Sequence, residues 1–186
     1  MKKIALAALL AASFGAHAAV ITFDGLNQNG TVPIANGYAG LNWSDFYTTN
    51  APVQFPGSGY AVDTISGEVA YNGYAQPATI SATSSAGFTL NSGYFAAAWI
   101  NENAVFTARF EDGSTATKTF AITTGSPVFE TFGWHDLASV TMVGDGGSHI
   151  AVENLNAAAV PEPAETSLLL AGLGAIALVA RRRKQA

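Results

Sequence analysis

The chain has no cysteine. Disulfides, thiolate metal sites and thiol nucleophiles are therefore excluded. Positive charge is nearly as scarce in its middle. Between Val20 and Val160 the only basic side chains are Arg109 and Lys118, against eleven Asp and Glu, a formal net charge of −9. Nucleic-acid binding needs clustered Lys and Arg to displace counterions, so no nucleic-acid partner is expected. No long apolar run is present either. Residues 166–180 are uncharged, but as a helix they would span about 22 Å against a hydrocarbon core of ~30 Å. Without disulfides the body must be held by its core, by a metal, or by both. A body of ~140 residues buries roughly two-thirds of its unfolded surface, enough for a core alone to serve.

What is present is concentrated at the two ends. The first eighteen residues, MKKIALAALLAASFGAHA, have the three parts of a secretory signal peptide: Lys2 and Lys3, a short apolar run, and small residues at Ala16 and Ala18. The expected cut falls between Ala18 and Ala19. At the other end, Pro161 and Pro163 stop a helix from extending upstream of residues 166–180. Arg181, Arg182, Arg183 and Lys184 follow, a cluster that stays on the cytoplasmic side and stops transfer. Snorkelling of these long side chains eases the short span. With an exported N-terminus, the body lies outside the membrane and the tail tip inside.

The order Val160-Pro161-Glu162-Pro163, weak hydrophobic helix, basic tip resembles the PEP-CTERM sorting signal of Gram-negative envelope proteins. The resemblance implies that an exosortase recognises the motif and processes the tail, and that the host makes extracellular polysaccharide. A spacer and short hydrophobic segment that are read and then removed follow the logic of other tail signals. The expected organisation is a signal peptide (1–18), an ectodomain (19–156), a linker with the motif (157–165), a hydrophobic helix (166–180) and a cytoplasmic tip (181–186).

The body shows little helical periodicity. Short β-prone runs are separated by Gly, Asn, Asp and Pro: residues 20–23, 78–81, 87–90, 94–100, 126–132, 139–144 and 148–155. Residues 104–122 are the clearest unit. Phe106, Ala108 and Phe110 alternate with Thr107 and Arg109, and Glu111-Asp112-Gly113-Ser114 supplies a hairpin turn. Phe120 and Ile122 then share one face of the return strand, and Thr115, Thr117 and Thr119 the other, an ordinary solvent face. Residues 27–36 and 50–60 read as long loops, and no internal repeat emerges. The pattern predicts an all-β antiparallel sandwich, a jelly roll. Segments ITFDGL, NGYAGLNWSDFY, YNGYAQPATIS, FTLNSGYFAAAWI and IAVENL resemble secreted jelly-roll domains, similar in outline to carbohydrate-binding modules of the galactose-binding-like class.

Such jelly rolls often share a structural calcium between first and last strands. The resemblance implies Asp24 and Glu153, with Asn154, as its ligands, although the family pattern has Asp where this chain has Glu153. Trp43, Tyr47, Tyr60, Tyr71, Tyr74 and Trp134 lie in or beside loop-like sequence, among Asn42, Asp45, Asn72 and Gln76. They supply either a sugar site, with Trp43, Tyr47 and Trp134 as its core, or packing for the sandwich. Trp99 is expected in the core. His135-Asp136 and Ser148-His149 prompt a search for a hydrolytic triad, but no nucleophile elbow positions a serine. The reading is a non-enzymatic module for extracellular polysaccharide, served by signal peptidase and exosortase. It is anchored transiently in the inner membrane with its body in the periplasm, then moved to the outer surface or matrix. A structural matrix component and a hydrolase are the rivals.

Overall fold

The structure, a computed structural model, describes residues 19–26, 30–62, 67–161, 171–174 and 176. The expected signal peptide with Ala18, the motif residues Glu162 and Pro163, and the basic tip Arg181–Lys184 lie outside the described residues, as does most of the hydrophobic run. Among the described residues no helix is long and apolar enough to cross a membrane.

The body is all-β. Its strands are β1 (Ala19–Ile21), β2 (Thr31–Pro33), β3 (Leu41–Ser44), β4 (Phe46–Asn50), β5 (Glu68–Asn72), β6 (Ala78–Ala82), β7 (Phe88–Ala97), β8 (Glu102–Phe110), β9 (Thr115–Ile122), β10 (Val128–Gly144) and β11 (Ile150–Ala159). One short helix, α1 (Ala51–Gln54), follows β4. Every pairing is antiparallel.

One layer runs β2-β4-β5-β11-β7-β10, with β1 also on β11. The other runs β3-β6-β10-β8-β9. Strand β10 belongs to both. Its first part pairs β7, and from Leu137 onward it pairs β8 and β6. Register shifts between Thr131 and Trp134 and between Trp134 and Leu137 mark the passage, where Gly133 has φ 63 and Asp136 φ 55. Bulges sharpen twist and bend a strand, and here they curl the sheet over its own core.

The core is built by side chains that alternate inward from both layers. Phe95 of β7 meets Phe106 of β8 at 5.0 Å between centroids and Phe120 of β9 at 5.4 Å. Leu41, Leu90, Ile150 and Leu155 are fully enclosed beside them. The β8–β9 turn forms as its sequence predicts. Gly113 takes φ 84, and Asp112 Oδ1 accepts the Ser114 amide at 2.8 Å and hydroxyl at 2.6 Å.

Four readings of the sequence change. Residues 87–90 and 94–100, expected as two strands, fall on one, β7, which ends at Ala97. Residues 126–132 and 139–144 are not separate strands but one, because Gly133 and Asp136 absorb the bend without ending the ladder. The long loop expected at 27–36 contains β2, and that at 50–60 contains α1 and the 3₁₀ turn Gly59–Ala61. Strand β11 extends through Ala159, so the sandwich enters the expected linker.

Candidate functional site

The described part of the sorting motif sits directly on the sandwich. Val160 follows the last residue of β11 and donates its amide to Gly87 O at 3.0 Å. Pro161 is exposed. The N-terminal strand β1 leaves at the same end, since Ala19 pairs Ala157.

The opposite end of β11 carries a cluster of rings. It starts with alternation on β4 and β5. Phe46 and Ala70 face the core, which turns Tyr47 and Tyr71 to the outer face. The two strands hold these tyrosines in register, with ring centroids 6.0 Å apart. After β5 the 3₁₀ turn Gly73–Ala75 brings Tyr74 edge-on to Tyr47 at 5.9 Å. A Cβ on Gly73 would lie 2.4 Å from Tyr47 Cε2, so only glycine lets the Tyr47 ring pass. The Gly73 amide is fixed by Asp45 O at 2.7 Å.

Tyr74 is the outlier of this turn. The tripeptide Gly-Tyr-Ala occurs three times and enters a 3₁₀ turn each time. Tyr38 packs against Phe23 and Trp43, and Tyr60 is 1% exposed. Tyr74 is 78% exposed and sits at φ 55, a left-handed conformation that costs a non-glycine residue ~1–2 kcal/mol. An exposed ring on strained backbone is the kind of local conflict that accompanies function.

Thr31, Tyr47, Tyr71, Gly73, Tyr74 and His149 line a groove of about 200 Å³. His149 forms its inner wall. Its Nδ1 bonds the Tyr60 hydroxyl, its ring lies 5.3 Å from that of Tyr71, and burial holds its pKa below the usual 6.5. Burial also raises the phenol pKa of Tyr60 and of Tyr71. The hydrogen bond with Tyr74 raises that of Tyr47. Tyr47, Tyr60, Tyr71 and His149 are thus neutral near pH 7.

Tyr47 also borders a second, polar cleft of about 570 Å³, where Asn36, Asn42, Ser44, Asp45 and Ser81 present amides, hydroxyls and one carboxylate. Ser44 Oγ donates to Asp45 Oδ2 at 2.9 Å. Asn36 Oδ1 accepts the Trp43 amide at 2.8 Å. Tyr47 is thus a wall with an aromatic groove on one side and a hydrogen-bonding cleft on the other.

The expected sugar residues therefore part company. Tyr47 is at the site. Trp43 borders the cleft, but it is 5% exposed. Its Nε1–H donates to Tyr38 O at 2.9 Å, and its ring stands edge-on to Phe23 and Phe46. Trp134 is half-buried, 4.9 Å from Phe132 on the core side of β10. Trp99 corrects the core expectation: it is 53% exposed. Strand β7 ends at Ala97, so the alternation that would bury Trp99 stops before reaching it.

Asp24 is exposed in the turn after β1, while Glu153 is buried on β11. The carboxylate that holds this turn is Glu68, whose Oε2 accepts the Leu26 amide at 3.0 Å. Among the described residues no three His, Asp or Glu side chains group as metal ligands. Ser148 Oγ accepts the Trp99 amide at 3.2 Å, His149 faces Tyr60, and His135 is exposed.

Sequence reasoning missed β4 and β5, and so did not see that Tyr47, Tyr71 and Tyr74 converge. Alternation in FYTTN and EVAYN was the available signal, obscured by their buried Thr48, Glu68 and Asn72.

No curated protein matches the chain. Several solved structures overlap it in part, three of them as follows. An agarase does so at 8% identity and TM-score 0.40, over 72% of this chain and 25% of its own. The CBM22-1–GH10 modules of the Clostridium thermocellum endo-1,4-β-D-xylanase 10B, complexed with xylohexaose, do so at 7% identity and TM-score 0.42, over 71% and 28%. The enzymatically active domain of bacteriophage CBA120 tailspike protein 4 does so at 11% identity and TM-score 0.32, over 69% and 21%. The chain thus spans about a quarter of the length of those structures. Residues 159–184 match the PEP-CTERM protein-sorting motif, so this β-sandwich carries the signal of an exported protein that an exosortase processes.

Proposed function

We propose that the ectodomain is a non-catalytic module that binds extracellular polysaccharide at the groove beside Tyr47, and that the tail delivers it to the outer surface or matrix. Signal peptidase removes the leader, the inner membrane holds the tail transiently with the body in the periplasm, and the exosortase acts at Val160–Pro163. The observation that carries the binding reading is the exposure of Tyr74, edge-on to Tyr47, where the same tripeptide elsewhere packs its tyrosine inward. Sugars present C–H faces that pack on such rings and hydroxyls that bond amides and carboxylates. The groove supplies the first and the cleft with Asn42, Ser44 and Asp45 the second. Pockets of this kind, apolar with a few placed polar groups, are where small polar ligands are held.

Affinity electrophoresis through gels containing extracellular polysaccharide tests this. Retardation of the purified protein, reduced by Tyr74→Ala with melting unchanged, is the expected result. A protein that migrates freely through every polysaccharide is a matrix component without a discrete ligand. Release of reducing ends would make it a hydrolase.

A further inference from the structure

The charge and spacing around the groove narrow its ligand further. We infer that the surface takes an uncharged polysaccharide and holds it along the chain, from Tyr74 to Trp99, rather than by a single sugar. This rests on the polysaccharide reading above and names the class.

Among the described residues no Lys or Arg lines the groove or the cleft, and Asp45 lines the cleft. The body has only two cations in its sequence, and both lie on β8 and β9, which contribute no residue to the groove or the cleft. Lys118 of β9 is paired with Glu130 and lies 5.4 Å over the Phe132 ring. Arg109 is on β8, opposite Thr115. A uronate or sulfated chain would enter a field of net charge −9 and find no counterion. A polycation would be drawn by that field, yet the groove walls offer it neutral phenols and imidazole instead of carboxylates. Among the described residues Asp45 is the only acid lining either cavity. One carboxylate bonds a hydroxyl as readily as it pairs an ammonium.

Trp99 stands edge-on to Phe55 at 5.7 Å and to Tyr60 at 5.6 Å. Tyr60 meets Tyr71 at 5.2 Å, and Tyr71 meets Tyr47 at 6.0 Å. The two exposed rings, Tyr74 and Trp99, are thus the ends of one packed series, with Tyr47, Tyr71 and Tyr60 between them. Tyr60 and Tyr71 are enclosed and brace these two outer rings from within, so a polymer has two separate rings to pack on.

The test uses the full chain in a detergent without a sugar headgroup. Its probes are a galactan, a xylan and a glucan as neutral polymers, alginate as a polyuronate, chitosan as a polycation, and the neutral monosaccharides. At least one neutral polymer should bind with a Kd unchanged between low and high salt, and more tightly than its monosaccharide. Tyr74→Ala and Trp99→Ala should each weaken polymer binding about tenfold, the scale of a lost ring contact. Tyr74→Phe should retain binding, which separates ring packing from the hydroxyl. Preference for alginate or chitosan, lost in salt, would overturn the uncharged class while leaving polysaccharide binding intact. Equal affinity for polymer and monosaccharide, with Trp99→Ala silent, would overturn the extended contact. Failure to bind any of the polymers would sink the polysaccharide reading itself.

Discussion

Single residues decide whether the groove exists. Gly73 is the sharpest case. Its missing Cβ is the space through which the Tyr47 ring passes, and alanine there would stand 2.4 Å from Tyr47 Cε2. Gly73→Ala is expected to swing Tyr47 away, weakening polysaccharide retention about tenfold while the melting temperature falls by only a few degrees. Affinity electrophoresis beside a thermal melt reads both, and unchanged retention would show that Tyr47 has no part in the site. His149 gives the groove a pH signature. Burial favours its neutral form, so its pKa in the folded protein lies below 6.5. The unfolded chain takes up a proton from about pH 6.5 downward, before the folded one does. The stability this residue supports is therefore complete above about pH 6.5 and is lost progressively as the pH falls below it. Urea midpoints between pH 7.5 and pH 5 should decline more steeply for the wild type than for His149→Gln. Parallel profiles would refute the assignment. The groups facing His149 are the rings of Tyr60 and Tyr71, which do not titrate in this range.

At the scale of elements, β10 is the decisive strand. A straight ladder would leave two separate sheets. The bulges at Gly133 and Asp136 let one strand serve both. Both sit at positive φ, but only Gly133 is free of the Cβ penalty there. Gly133→Ala should cost about 1–2 kcal/mol, seen as a lower urea midpoint with an unchanged slope. Asp136→Gly, which relieves strain at φ 55, should be neutral or stabilising by up to ~1 kcal/mol. The Asp136 carbonyl that accepts the Glu111 amide at 2.9 Å is kept in either residue. Opposite signs for the two changes would support the bulge account, and equal losses would refute it. This strand was only half legible. Its two ends alternate well, but Gly-Trp-His-Asp reads as a break, because a bulge and a turn use the same residue types.

The whole molecule has two poles, set by β11. At one end Ala157 pairs Ala19, and Val160 leads into the sorting motif. At the other, Ala151 pairs Tyr71 and His149 enters the groove. Ten strand residues at ~3.3 Å each separate the poles by about 30 Å. On the proposed tethering, the groove is expected to face away from the membrane. The full chain reconstituted in lipid vesicles should bind a neutral polysaccharide as tightly as the tail-free protein, within about twofold. A tenfold or greater loss on vesicles would mean that the tethered body lies on its ring-bearing face.

The sequence by itself determined the address and the class of fold. Both are local: a sorting signal is read as an ordered string, and strand alternation and the Asp112-Gly113 turn depend on near neighbours. Its scarcity of cations likewise set the expectation that the body attracts no polyanion. The tertiary structure alone decided which aromatics meet. Trp43 and Tyr74 stand in loop-like sequence and Trp99 in a β-prone run, yet Trp43 is enclosed and the other two are exposed. Their fate depends on where β3 and β7 end and on how β5 pairs with β4, and those pairings join residues distant in the chain. Burial is a property of such contacts, so the groove became visible only once the sheet had curled.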